Sequence, residues 1–463
     1  MCPANSAVFS SLSIRSELLQ ALQAVGYEAM TPIQNAVAAP LLEGRDVIAQ
    51  AQTGSGKTAA FAIGLLNKLD ISMLNTQALV ICPTRELSDQ VATEIRRLAS
   101  ALANTRVLTL CGGKPLHDQL KSLQKQPHVV VGTPGRLLKH LDIGSLNLKN
   151  IQTLVLDEAD RMLDMGFLDD IQHIISRTNS LRQTLLFSAT YPDEIAGISR
   201  DIQRQPVKLQ VKAETSNTQI KQIFVFSNAE QKASSLFRAI EKFQPQQALI
   251  FCNRKDSIQA LCATLAKRGF RARALHGDLD QRERDEALLL FSHQSISFLV
   301  ATDVAARGLD ISALPAVINY DLSPDPDTHL HRIGRTGRAG LEGLAVTFVD
   351  PDELHHVKKL ETMLGDIVRY TELSAAYEDV GKPLQPPMTT LHLSVGKKDK
   401  IRPGDIVGAL TASAELTNEY IGKITVQAKH SFVSVHSRVA DKAMSILAEG
   451  KIKRRKVRAR AIR

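Results

Sequence analysis

The stretch Ala51-Gln52-Thr53-Gly54-Ser55-Gly56-Lys57-Thr58 decides how this 463-residue sequence is read. Asp46-Val47-Ile48-Ala49 precedes it and reads as a short buried strand. Thr58-Ala59-Ala60-Phe61-Ala62-Ile63-Gly64-Leu65-Leu66 follows with helical length and spacing. Strand, glycine loop and helix together are the context of a phosphate-binding loop. The glycines let backbone N–H groups turn inward around phosphate oxygens, and the helix N-terminus adds its dipole. The pattern gives Lys57 the outer phosphates and the Thr58 hydroxyl Mg²⁺. A flexible glycine turn beside a stray lysine would not bring both flanking elements. Ala51 departs from the generic pattern, which has glycine there.

The length predicts two to four domains. Apolar residues make up 44% of the chain, enough for ordinary cores. The five cysteines form no CxxC pair, which suggests reduced thiols and a cytoplasmic protein. No basic and apolar leader opens the sequence, and no apolar run is long enough for a membrane span, so no membrane partner is expected. The net charge of +9 is unevenly placed. Residues 388–463 hold 16 Lys+Arg against 6 Asp+Glu, while the remainder holds 41 against 42. Residues 451–463 alone carry eight basic residues and no acid. A single charge run is often just a solvated face. This asymmetry points instead to a polyanion-binding appendage on a near-neutral machine.

Continuous apolar runs alternate with helical patterns from residue 46 onward: 78–83, 107–111, 128–131, 154–156 and 184–187. Such runs predict a parallel sheet covered on both faces. The pattern weakens near Gln205-Pro206 and restarts at Ile223, predicting a second α/β domain of similar size with no second phosphate loop. Asp157-Glu158-Ala159-Asp160 closes the run at 153–156, where an open parallel sheet places its chemistry. Asp157 suits Mg²⁺ through the ion's water shell, and Glu158 suits orienting or deprotonating a water. Alone, that tetrad would read as a solvated helix start; after a buried strand and downstream of a phosphate loop it does not.

Here the sequence resembles the DEAD-box RNA helicases of superfamily 2, with motifs in order from residue 9 to 338. Gly26 to Gln34 resembles the family's adenine-reading Q motif, and Phe9 stands where the family has an aromatic that stacks on adenine. A glutamine amide can donate to N7 and accept from the exocyclic amine of adenine together. The resemblance implies an ATP site of Phe9, Gln34, Ala51, Gln52, Thr53, Gly54, Ser55, Gly56, Lys57, Thr58 and Asp310, the last on the ribose, with Mg²⁺ bound alongside ATP. It implies catalysis by Lys57, Asp157 and Glu158, with Arg335 and Arg338 of His331-Arg332-Ile333-Gly334-Arg335-Thr336-Gly337-Arg338 as arginine fingers. A basic RNA-binding loop is the alternative for that stretch, and Arg332 is read closer to it. Asp160, Ser188, Thr190 and His331 would couple hydrolysis to movement, the hydroxyls of Ser188-Ala189-Thr190 bonding Asp160.

The same resemblance implies RNA contacts at Pro83, Thr84, Arg85, Gly112, Gly113, Thr133, Pro134, Gly135 and Arg136. In the second domain it implies Arg254 beside Asn253, Gln281, Arg284 and Thr302, with His276-Gly277 nearby. Loop ends of this kind offer N–H groups, hydroxyls and arginines to a sugar-phosphate backbone without reading bases.

After a proline-bearing linker, residues 390–395, 402–410, 420–427, 432–436, 438–448 and 455–461 read as strand, helix, strand, strand, helix, strand. That order predicts a small α+β RRM-like domain. Phe432, His430 and His392 stand where stacking aromatics are usual, which makes a poor base platform. RNA contact is therefore expected at Lys397, Lys398, Lys451, Lys453, Arg454 and Arg455. Arg402 to Leu410, Ile421 to Ile424 and Gly450 to Lys453 resemble a bacterial branch of the family. That branch uses this domain to recognise a hairpin of 23S ribosomal RNA in large-subunit assembly.

The predicted fold is α/β: two RecA-like parallel-sheet domains followed by the RRM-like domain. The boundaries are 1–207, a linker at 208–220, 221–375, a linker at 376–387, and 388–463. The predicted function is an RNA-stimulated ATPase that unwinds short RNA duplexes, as a cytoplasmic monomer acting on a 23S hairpin and pre-50S particles. Alternatives are a general RNA remodeller in decay or cold adaptation, and an ATP-gated RNA clamp.

Overall fold

The computed structural model describes residues 7–51, 54–211, 220–306, 314–337, 342–373, 383–412, 416–453 and 455–462. Among these residues no helix is long and apolar enough to cross a membrane. The described residues fall into two compact units, one up to residue 211 and the other from residue 220 onward.

The first unit holds strands β1 Val47–Gln50, β2 Ala78–Ile81, β3 Val107–Leu110, β4 Val129–Gly132, β5 Thr153–Asp157, β6 Gln183–Ser188 and β7 Val207–Gln210. They form one parallel sheet in the order β3-β4-β2-β5-β6-β1-β7. β2, β4, β5 and β6 are buried along their whole length, so alternation is absent and the apolar runs are continuous. Their two faces feed separate cores. Val80, Val131, Val155 and Phe187 pack on one side, and Leu79, Val130, Leu154 and Leu186 on the other. Residues 208–210 belong to the sheet, which corrects their assignment to the linker. Lys208 and Gln210 are exposed on an edge strand, so the polar pattern there reads like a linker.

The second unit holds two sheets. β8 Ile220–Phe226, β9 Ala248–Phe251, β10 Ala272–Leu275, β11 Phe298–Ala301, β12 Ala316–Asn319 and β13 Gly343–Val349 form a second parallel sheet, ordered β10-β11-β9-β12-β13-β8. β14 Met388–Leu393, β15 Ile421–Val426, β16 Ser431–His436 and β17 Ala459–Ile462 form an antiparallel sheet ordered β15-β16-β14-β17. The helices Pro403–Thr411 and Ala440–Glu449 cover one face of it, over Leu391, Leu393, Val433 and Val435. This is the expected α/β architecture with a small RRM-like third domain. The last strand is shorter than the sequence suggests. Ile452 and Arg455 bond each other's backbone, with Lys453 at φ +48°, and the strand begins only at Ala459.

The other face of the antiparallel sheet is partly used up. Thr390 Oγ1 lies 2.7 Å from Ser295 Oγ, and Thr425 Oγ1 lies 2.9 Å from His293 Nε2. Met388 N–H donates to the Gln294 carbonyl at 3.4 Å, and Gln385 Nε2 to the Gly269 carbonyl at 3.3 Å. The third domain therefore docks on the segment that follows the helix Gln281–Ser292, through small hydroxyls and a buried imidazole.

Burial pushes the His293 ring down to about 4, with the Lys423 charge adding to the effect, and burial does the same to His329. Both rings are neutral when folded, whereas the unfolded chain takes up protons near pH 6.5. Stability is thus whole above about pH 6.5 and falls as the pH drops toward 4. Replacing His293 with Gln should flatten that fall, by up to roughly 3 kcal/mol at the acid end. Melting temperatures at pH 7.5 and 4.5 check this, and parallel pH profiles for parent and variant would count against it.

Candidate active site and RNA interface

Gly56 carries the turn from loop to helix at φ +97°, ahead of the helix Lys57–Lys68. Its surroundings leave no room for a side chain. A Cβ there would fall 2.6 Å from Gln34 Nε2 and 2.9 Å from Thr31 Oγ1. The reason is local. Thr31 and Gln34 form a capping box at the start of the helix Pro32–Leu42, and Gln34 Oε1 accepts from Thr31 N–H at 2.8 Å. The amide group of Gln34 is then turned outward to donate to the Gly56 carbonyl at 3.2 Å. Gln34 thereby ties the Q-motif helix to the phosphate loop. Phe9 is buried and lies 6.2 Å from the Tyr27 ring in a stacked arrangement. Lys57, also buried, folds back and donates from Nζ to the Ala51 carbonyl at 2.9 Å. Gly54, Ser55 and Thr58 stand with Gly56 on the accessible side of the loop; Gln52 and Thr53 lie outside the described residues.

The acidic residues at the end of β5 sit in three different environments. Burial pushes the Asp157 carboxyl up to about 7 against the pull of Lys57, and its Oδ1 has no hydrogen-bond partner. Glu158 occupies the left-handed region at φ +54°, a strained conformation for a residue with a side chain, and is also buried. Its Oε2 faces Arg161 Nε at 3.4 Å without a hydrogen bond. Asp160 is fully engaged. Its Oδ2 accepts from Ala189 N–H (3.1 Å), Thr190 N–H (2.9 Å) and Thr190 Oγ1 (3.1 Å), while Oδ1 accepts from Arg161 N–H (3.0 Å). Ser188 Oγ accepts from the Asp160 N–H at 3.3 Å. Burial works to raise the Asp160 pKa, but the Thr190 hydrogen bond and the Arg161 charge outweigh it and hold it below the usual value. Carboxylates whose environments drive their pKa values apart have divided tasks. Asp160 anchors β6 to β5, while Asp157 and Glu158 keep unspent acceptor atoms beside Lys57. That unspent pair fits a hydrated divalent cation whose other ligands come from phosphates. Among the described residues no group of three acidic, histidine or cysteine side chains is placed to hold a metal ion by itself.

The RNA residues suggested by sequence converge in the first domain. Pro83, Thr84 and Arg85 follow β2, Gly112 and Gly113 follow β3, and Thr133 to Arg136 follow β4, three adjacent strands. Thr84 caps the helix Arg85–Leu98 by accepting from Leu87 N–H at 3.3 Å. The Arg85 guanidinium lies against Gly112, where a Cβ would meet Nη2 at 3.0 Å. In the second domain Arg254 follows β9, Gln281 and Arg284 follow β10, and Thr302 follows β11, again three adjacent strands. Arg335 is buried just after the helix Pro326–Ile333, which also carries His331. Asp310, Arg338 and Arg454 lie outside the described residues.

The structure corrects the reading of Arg332 as part of a basic RNA-binding loop. Its side chain is 1% exposed and reaches Asp303 through Nε and Nη2, each at 2.7 Å. It also donates to Asn253 Oδ1 at 2.7 Å and to the Asp321 carbonyl at 2.6 Å, and it lies over the Phe251 ring. Asp321 in turn pairs with Lys232 at 2.8 Å and accepts the Asn253 N–H at 3.0 Å. Arg332 therefore binds three loop segments together inside the domain. Planar guanidinium suits such multidentate work, but sequence spacing does not tell a buried arginine from an exposed one.

At one end of the third domain, three loops are stitched together. Lys397 and Lys398 N–H groups donate to the Gln427 and Ala428 carbonyls. Lys453 pairs with Asp405 at 2.8 Å, and Arg455 pairs with Asp399. Lys397, Lys398 and Lys451 stay exposed beside them. His392, His430 and Phe432 gather on the face opposite the helices, with His392 ring centroids 4.8 and 5.2 Å from the other two.

The family model described as DEAD/DEAH box helicase matches residues 31–198, Helicase conserved C-terminal domain matches 231–340, and DbpA RNA binding domain matches 390–461. The chain is 48% identical over 456 residues to the ATP-dependent RNA helicase DbpA of Escherichia coli (strain K12), covering 98% of this chain and 99% of that protein. It is 44% identical over 355 residues to the DEAD-box ATP-dependent RNA helicase CshA of Geobacillus kaustophilus, 76% of each chain. Among solved structures it is similar to S. cerevisiae Dbp5 bound to RNA and ADP BeF3, with TM-score 0.72 and 30% identity over 79% of this chain and 95% of that one.

Replacing Gly56 with Ala forces a Cβ onto Gln34 and strains a left-handed backbone. The KM for ATP should rise by about tenfold or more, with the fold intact by circular dichroism. An unchanged KM would separate Gln34 from the phosphate loop.

Proposed function

This chain belongs to the DEAD-box ATP-dependent RNA helicases, and from that premise we propose that its third domain directs the helicase to a 23S ribosomal RNA hairpin during large-subunit assembly. The observation that carries the proposal is the likeness over the whole chain, third domain included. The stitched basic end of that domain supports it. Exposed lysines held in a fixed cluster suit the closely spaced phosphates of a folded RNA, and counterion release would drive binding. The docked Thr390 and Thr425 make the sheet face a poorer candidate, and the loops carrying Lys397, Lys398, Lys451, Lys453 and Arg455 the better one.

In this reading the N–H groups from Gly54 to Thr58 cradle the phosphates, and Lys57 leaves the Ala51 carbonyl for the outer ones. Gln34 and Phe9 take the adenine and Asp310 the ribose. Thr58 and Asp157 would hold Mg²⁺, which supplies charge neutralisation at the phosphates. Glu158 orients the attacking water and takes its proton. Arg335 and Arg338 supply guanidinium charge to the γ-phosphate in the transition state. Asp160, through Ser188, Ala189 and Thr190, passes a change at the phosphate side of β5 to the loop after β6. His331 belongs to the same coupling set.

Glu158→Gln should keep ATP and RNA binding and lose about 10²-fold or more in turnover. Phosphate-release assays with parallel binding titrations check this, and normal hydrolysis would remove Glu158 as the base. A fragment carrying the 23S hairpin should stimulate ATP hydrolysis far more than poly(A) at equal nucleotide concentration. Equal stimulation would leave a general RNA remodeller in place of a ribosome-directed one.

A further inference from the structure

Two of the three loops of the first domain read as RNA contacts, those after β3 and β4, are joined by a side chain that lies outside every quoted motif. Gln119, on the helix Leu116–Leu123, is 5% exposed. Its Nε2 donates to the carbonyl of Cys111, the residue before Gly112-Gly113, at 2.9 Å. Its Oε1 accepts from Arg136 Nη1 at 2.8 Å and lies 2.9 Å from His140 Nε2. One amide thus reaches the glycine loop after β3, the arginine after β4, and the buried end of the helix Pro134–Asp142 that carries both Arg136 and His140.

The bonding is closed on all sides. His140 is fully buried, and its Nδ1 lies 2.8 Å from Ser145 Oγ. Burial, with the Arg136 and Lys139 charges beside it, holds the ring below its usual pKa, so it is neutral. The neutral form that satisfies both neighbours carries its proton on Nε2, toward Gln119, and accepts from Ser145 at Nδ1. Both acceptor positions of Gln119 Oε1 are then filled. Arg136 Nη1 also donates to the Lys114 carbonyl at 3.0 Å, which ties the guanidinium to the loop after β3 a second time. Both of these bonds leave from Nη1, so Nε and Nη2 of the same planar group stay available to a phosphate.

We propose that Gln119 and His140 are positioning residues for RNA binding, holding the Arg136 guanidinium in fixed register with the Gly112-Gly113 loop before RNA arrives. The proposal rests on the reading that Arg136 and this loop meet the RNA backbone. An unrestrained arginine must give up rotamer freedom when it grips a phosphate; Arg136 has already given it up within the folded domain. Glutamine is the residue this junction requires. Glutamate at 119 could not donate to the Cys111 carbonyl, and leucine would leave that carbonyl and the His140 N–H buried without partners.

The test uses the full chain and reads the RNA concentration for half-maximal ATPase stimulation, beside the KM for ATP. Q119L should raise the RNA requirement by about tenfold, with the ATP KM unchanged. R136A should raise it similarly, and Q119L/R136A should be no worse than R136A alone, because Gln119 acts through the arginine. Additive losses, or a Q119L enzyme with unchanged RNA requirement, overturn the positioning role. An unchanged RNA requirement in R136A would instead defeat the reading of Arg136 as an RNA contact. If Q119L melts below the assay temperature, H140L and H140Q make the same comparison. H140Q keeps a donor toward Gln119 and should bind RNA as the parent does, while H140L should not. Equal RNA requirements for H140L and H140Q overturn the proposal.

Discussion

A parallel sheet sends the carboxyl ends of all its strands to one edge, and the candidate sites of the first two domains depend on that constraint. In the first domain, strand order then sorts the loops. β3, β4 and β2 lie side by side and end in the loops assigned to RNA, while β5, β6 and β1 lie side by side and end in those assigned to ATP. The second sheet repeats the division. β10, β11 and β9 end in Gln281, Thr302 and Arg254, with the helix carrying His331 following β12. Chain order interleaves the two kinds of loop; hydrogen-bond order separates them. Since β2 neighbours β5, the boundary between the groups is one strand wide, about 5 Å.

Buried polar groups tie the loops together within each of these sets, and each is costly unless satisfied. Asp160 spends both carboxylate oxygens on β6 and its own helix. Gln119 and Arg332 do the equivalent work at the RNA loops of the first domain and at the loops of the second. Asp157 and Glu158 keep orphaned oxygens, one raised pKa and one left-handed backbone, and Arg161 Nη2 beside them is also without a partner. Strain together with two unsatisfied acceptors in adjacent residues at the end of β5 suits a place where a ligand completes the bonding.

The third domain shows how far charge reading goes. Its basic excess is plain in the composition, and its strand and helix order gives the fold. Which of these exposed basic residues are already paired is another matter. Lys453 and Arg455 are partly spent on Asp405 and Asp399, drawing loops together, while Lys397, Lys398 and Lys451 face solvent. Likewise Thr390 and Thr425 look like ordinary strand residues, yet they dock the domain on His293 and Ser295. Nothing in a hydroxyl's sequence context announces a partner some 95 or 132 residues away.

Local order was legible because it is local. Continuous apolar runs, glycine placement, capping residues and motif spacing are set by neighbours along the chain. From these came both parallel-sheet domains, the phosphate loop, the acidic end of β5 and the small appended domain. Errors fell where burial decides. Arg332 looks like any basic residue in an arginine-rich stretch, and edge strand β7 looks like a linker because one strand of neighbours is missing. Gln119 and His140 passed unremarked, since a polar residue on an amphipathic helix is ordinary until its buried partners are known. The sequence determined which groups could bind nucleotide and RNA. Tertiary structure alone decided which of them are locked, strained or spent, because that depends on groups distant in sequence meeting where water is excluded.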